Sequence, residues 1–227
     1  MAERVAPRRS FLTGLGISAL GIGAMSAVAE AQAPAAGERF QPARHAADDW
    51  MDQIPGRHRV VIDSVTPDGA GSALLFANNL YDNQKGYSLT DRDLAIIVVM
   101  RHFATPFAFT DAIWTKYGKP MGEMLKFNDP NTKQPPAVNV YNGAGYGMAL
   151  TNFGTTIDAL VKRGTRFAIC DAATHFVAMQ LAGQAGNADA IYKEFAAATI
   201  PNSTFVPAGV VGVTRAQERG YSLIYAG

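Results

Sequence analysis

The sequence holds one cysteine in 227 residues, Cys170. No disulfide can form within the chain, so the fold must stand on its apolar core. Charge is sparse: charged residues make up 17% of the chain and the formal net charge is +1. No run of Lys and Arg interleaved with aromatics occurs, which argues against nucleic acid as a partner. The histidines, His45, His58, His102 and His175, include no pair at ligand spacing, so no dedicated metal site is expected. Apolar runs are short of the ~20 residues a spanning helix needs. Neither a G-x-S-x-G elbow nor a Walker sequence is present. The segment Asn142-Gly143-Ala144-Gly145-Tyr146-Gly147 lacks the last glycine of a dinucleotide loop and reads as a turn.

What is present begins with an address. Arg8-Arg9-Ser10-Phe11-Leu12 leads into an uncharged stretch from Gly14 to Ala29, and Ala29-Glu30-Ala31 offers an A-x-A cleavage pattern. Residues 1–31 therefore read as a twin-arginine signal peptide, cut after Ala31, with the twin-arginine translocation machinery as its partner. The expected location is the periplasm, with no membrane anchor after cleavage. Cleavage removes Glu3, Arg4, Arg8, Arg9 and Glu30 and leaves a formally neutral chain. Residues 32–44, rich in Ala, Pro and Gly, read as a flexible tether, and residues 45–227 as one domain.

Strand and helix patterns alternate along that domain. RHRVVIDS (57–64) and DLAIIVVM (93–100) are apolar runs suited to buried strands, and the helical spacing of Ala73, Leu74, Ala77, Leu80 and Tyr81 lies between them. AVNVY (137–141) is a candidate third strand. A helix over 155–163 stops at Gly164, RFAIC (166–170) is a strand, and the following helix is expected to bury Ala172, Phe176 and Met179. Further helices at 187–198 and 210–218 flank a short strand at 204–206, and 221–225 closes the chain as a strand. This alternation predicts a three-layer, doubly wound α/β fold, a mostly parallel sheet of about five strands with helices on both faces. The long excursion from Arg101 to Pro136 carries Phe103, Phe107, Phe109, Trp114 and Tyr117, then Met121, Met124 and Phe127. Such a cluster is usually core or a subunit contact, core being a better reading than a copper site, and an oligomer interface or a lid is the favoured expectation.

In an open parallel sheet, ligands sit beyond the carboxyl ends of the strands. Those ends place Ser64, Thr66, Arg101, His102, Asn142, Cys170, Asp171, Pro207 and Ala208 on one rim. Cys170 stands just before a helix, where the positive end of the dipole favours a thiolate, whereas the neighbouring Asp171 opposes it unless its carboxylate serves as a cap. A small buried hydrophobe is the other reading of this cysteine. His102 can act as an acid or base, and Arg101 can hold an anion.

The segments HRVVIDSVTPDGAGSALLFANNLYD, DLAIIVVMRHFATPFAF, RFAICDAATHF and GVVGVTRAQERGYSLIYAG together resemble the DsrE/DsrF-like proteins, in particular their exported, twin-arginine-tagged members. The resemblance covers the chain from about Arg57 onward. It implies a small doubly wound domain that assembles into homo-oligomers and, in some members, a sulfur relay. There a cysteine at a strand end carries a persulfide, the position that Cys170 occupies here. The expected function is thus a sulfur carrier or sulfurtransferase-like protein using Cys170, with Arg101 or His102 steadying the anion. The competing expectation is a non-catalytic oligomeric module that binds a small ligand. No cofactor is expected, a flavin being the weakest of the readings.

Overall fold

The computed structural model describes residues 40–184 and 186–227. The export signal, and the tether as far as residue 39, lie outside them. The compact unit Pro42–Gly227 contains β1 (His58–Ser64), α1 (Pro67–Asn83), β2 (Leu94–Met100), α2 (Asp111–Leu125) and α3 (Ile157–Arg163). It continues with β3 (Arg166–Cys170), α4 (Asp171–Ala182), α5 (Ala188–Ala197), β4 (Ser203–Val206), α6 (Gly209–Glu218) and β5 (Ser222–Ala226).

The strands form one five-stranded sheet in the order β4-β3-β2-β1-β5, parallel at every pairing. β2 is central and buried along its whole length, which is why its sequence is apolar without alternation. The chain steps from β1 to β4 in one direction, so right-handed crossovers put α1 to α5 on one face. The return from β4 to β5 puts α6 on the other. Side-chain packing follows this division. Ile96, Val98 and Met100 of β2 join the core under the large helical layer, with Leu74, Trp114, Leu160, Val177 and Phe195. Ala95, Ile97 and Val99 point oppositely and pack with Val213 and Ala216 of α6, and with Met51 and Ile54. The predicted three-layer α/β architecture is the one observed.

Local chemistry sets the element boundaries. Thr66 caps α1, its Oγ1 accepting the Gly69 N–H at 2.8 Å, and Pro67 begins the helix where its missing N–H costs nothing. The Thr-Pro-Asp-Gly segment is therefore a helix start rather than a free-standing turn. Gly164, at φ 100°, ends α3 in the left-handed conformation that glycine tolerates best.

Three expectations are corrected. Residues 137–141 form no strand: the place beside β2 belongs to β3, and Val140–Asn142 is a single 3-10 turn. Asn139, turned inward, supplies what a ladder would have supplied. Its amide nitrogen donates to the carbonyls of Phe107 (2.8 Å) and Phe109 (2.9 Å). Next, the aromatic excursion is core. Phe107, Phe109, Trp114 and Met121 are fully buried, with Phe107 packed on Trp114 and Tyr141, and Phe109 edge-on to Phe195. Finally, α4 buries Thr174, Val177 and Ala178 and leaves Phe176 43% and Met179 53% exposed. A helix so apolar on every side offers no periodicity from which its inward face can be read.

Candidate functional site

Adjacent strands whose onward connections leave by opposite faces open a crevice between them. Here that point lies between β3, which feeds α4, and β4, which feeds α6. A cavity of about 260 Å³ occupies it, lined by Arg101, His102, Cys170, Phe176, Gly209 and Val210 among others. A larger cavity, about 440 Å³, lies between α1 and the edge strand β5 around Phe76, Leu80, Tyr87 and Ile224. It presents no charged or thiol side chain, whereas the smaller cavity carries both the thiol and Arg101.

Cys170 is the last residue of β3 and the cap of α4. Its Sγ accepts the Ala173 N–H at 3.3 Å, and its carbonyl accepts the Thr174 hydroxyl at 2.9 Å. The residue is 6% exposed and reaches solvent through the cavity. β4 holds the other wall in place, since the Pro207 carbonyl accepts the Ala172 N–H at 3.2 Å. From there α6 begins at Gly209 with no side-chain cap on Ala208. The first N–H groups of α6 have no partner inside the helix, and so suit an anion. The amino ends of both α4 and α6 meet at this cavity.

Arg101 leaves the end of β2 and forms a two-pronged pair with Asp63 of β1, Nε to Oδ1 at 2.6 Å and Nη2 to Oδ2 at 2.9 Å. The bonds to Asp63 raise its already high pKa, with partial burial opposing, so the guanidinium is a permanent charge. It senses Cys170 and Tyr225 as further neighbours. The stem of Arg101 lies against Gly209, where an added Cβ would come 2.3 Å from the Arg101 Cβ. Gly209→Ala should therefore be destabilising, by about 1–3 kcal/mol for overpacking, although alanine ordinarily favours a helix. A lower urea midpoint at unchanged slope is the expected reading.

His102 sits at φ 53°, a left-handed conformation that costs a non-glycine residue about 1 kcal/mol. The Ala104 N–H holds the turn from behind, bonding the carbonyls of Val65 (3.1 Å) and Arg101 (3.0 Å). The exposed imidazole stacks on Phe103 with ring centres 4.1 Å apart.

Of the residues expected on one rim, Cys170, Arg101, His102 and Ala208 do meet. Ser64 is fully buried and donates to the Val99 carbonyl at 2.7 Å. Thr66 is the cap of α1. Asn142 belongs to the 3-10 turn at 140–142, away from the cavity lining, and its Oδ1 is buried without a partner. Asp171 accepts the Tyr192 hydroxyl at 2.7 Å and does not line the cavity. Sequence reasoning missed Asp63, Phe176, Gly209 and Val210. The signal for Asp63 was available: a lone carboxylate within the buried run VVIDS demands a cation. Among the described residues no three His, Cys, Asp or Glu side chains converge as a metal site, and no helix is long and apolar enough to cross a membrane.

No protein-family model matches the chain. No curated protein matches it either. Among solved structures, the protein of unknown function MTH1491 from Methanobacterium thermoautotrophicum is similar at 15% identity, covering 74% of this chain and 99% of that one, with a TM-score of 0.40. A likeness at that level carries no functional argument.

Proposed function

We propose that the chain is an exported, DsrE/DsrF-like sulfur carrier of the periplasm in which Cys170 accepts and passes on a sulfane sulfur. The observation that carries this reading is the thiol itself: it lines the crevice at the switch point, beside Arg101 and between the ends of two helices. In the step proposed, the Cys170 thiolate attacks the outer sulfur of thiosulfate. The S–S bond of the donor breaks, sulfite departs with its electron pair, and Cys170 becomes a persulfide anion. No external oxidant is consumed, because the transferred sulfur keeps its oxidation state. Arg101 and the open N–H groups of α6 supply positive potential for both the donor and the persulfide, and His102 stands at the mouth.

The test is intact-protein mass spectrometry after exposure to thiosulfate or polysulfide. An added sulfur on Cys170 supports the carrier, whereas an unmodified Cys170 under conditions that modify a control thiol overturns it. A second reading, a non-catalytic oligomeric module that binds a small ligand, is favoured by one observation: the sulfur is already engaged as the cap of α4. Native mass spectrometry of Cys170→Ser separates the two, since an undiminished ligand occupancy would favour the binder.

A further inference from the structure

We propose that Tyr192 is a positioning residue that holds the Asp171 carboxylate away from Cys170; the proposal rests on the reading of Cys170 as a reactive thiol. The difficulty it resolves is built into the sequence. Cys170 and Asp171 are the cap and the first residue of the same helix, so both draw on one positive helix end. A carboxylate beside a sulfur opposes the thiolate.

The geometry points to a clamp from α5. Cys170, Ala172 and Ala173 all line the cavity, yet Asp171, in their midst along the chain, does not. Its Oδ1 accepts the Tyr192 hydroxyl at 2.7 Å, and its Oδ2 lies 3.7 Å from His175 Nε2. The Tyr192 ring stacks almost parallel on the imidazole of His175, with centres 3.8 Å apart and planes 5° from one another. The carboxylate is thus drawn over the side of α4 that faces α5, not over the thiol. The bond to Asp171, with some burial, raises the Tyr192 pKa above its usual value near 10, so the phenol keeps its proton and goes on donating wherever a thiol is titrated.

Other charges near the thiol are accounted for. Arg101 is paired with Asp63, and α6 brings no acidic residue in its first turn. On α5, Glu194 is tied to Lys116 at 2.6 Å and to Tyr117 at 2.9 Å. His102 lines the same cavity and does not change in the variants below.

The experiment measures the rate at which iodoacetamide alkylates Cys170 across pH, in the full chain and in Tyr192→Phe, Asp171→Asn and the double variant. Tyr192→Phe frees the carboxylate, so the rate at neutral pH should fall by about three- to tenfold and the profile should move to higher pH. Asp171→Asn should show no such fall. In the double variant, loss of the phenol should have no further effect. A Tyr192→Phe profile superimposed on the wild type, or a fall that persists in the double variant, overturns the clamp and leaves the reactive thiol standing. A wild-type Cys170 that resists alkylation at every pH overturns both.

Discussion

Thiosulfate should add one sulfur atom to the wild-type chain and none to Cys170→Ser, while the variant keeps its fold. The substitution is unusually clean here because of what else the sulfur does. It caps α4 by accepting the Ala173 N–H, and serine is among the preferred residues at that position whereas cysteine is not. Serine Oγ is smaller than sulfur and accepts the same bond. The unfolding free energy should therefore stay within about 0.5 kcal/mol of the wild type, or rise. Complete loss of sulfur loading at unchanged stability would assign the chemistry to the thiol. Loading that survives in Cys170→Ser would place it elsewhere, and loss of stability by several kcal/mol would mean that the sulfur is a packing group.

The expected effect of Gly209→Ala belongs to the same region but reports on a different link. It acts on the Arg101 stem, so it tests whether the guanidinium is held from the α6 side as well as by Asp63. The Tyr192→Phe result, in turn, concerns only where the carboxylate next to the thiol points.

Much of the fold was legible because strand burial writes itself into composition. LAIIVVM is apolar throughout because both faces of β2 are covered, and RFAIC ends at a helix start because the chain must turn there. Arg101, His102 and Cys170, at the ends of β2 and β3, line one cavity, whereas Ser64 and Thr66 stand at the end of an equally well assigned strand and are taken up by a backbone bond and a helix cap. Asn142 was misplaced because AVNVY alternates like a strand, although its central asparagine is a buried cross-link between backbone carbonyls. Periodicity records which side chains face inward, and a single inward asparagine leaves that record unchanged. The pairing of Arg101 with Asp63, and the approach of α6 to Arg101, join residues 38 and more than 100 positions apart. No local pattern carries such contacts. The exposed Phe176 was unreadable for a further reason, since α4 is apolar on the outside as well.

Trp114→Ala should cost about 3–5 kcal/mol, a large share of the roughly 5–15 kcal/mol that holds a domain of this kind together. Trp114 is fully buried, and its ring meets Phe107 with centres 5.0 Å apart. Its Nε1–H donates to the Pro106 carbonyl at 3.2 Å. Alanine would open a cavity and leave that carbonyl only its longer bond from the Phe109 N–H, at 3.4 Å. The alternative drawn from sequence, a lid or a subunit contact, makes the opposite prediction, because an exposed tryptophan removed from a lid leaves unfolding within about 0.5 kcal/mol. Urea titration decides, and a loss below about 1 kcal/mol would return the excursion to the surface. The effect should also reach the cavity. Pro106 lies in the 3-10 segment His102–Ala108, which Thr105 fastens to the end of β2 by its bond to the Met100 carbonyl. Trp114 thus supports from beneath the turn that sets His102 in its left-handed conformation. Its removal should loosen the mouth of the cavity while leaving Cys170, which is held by β3 and the first turn of α4, in place.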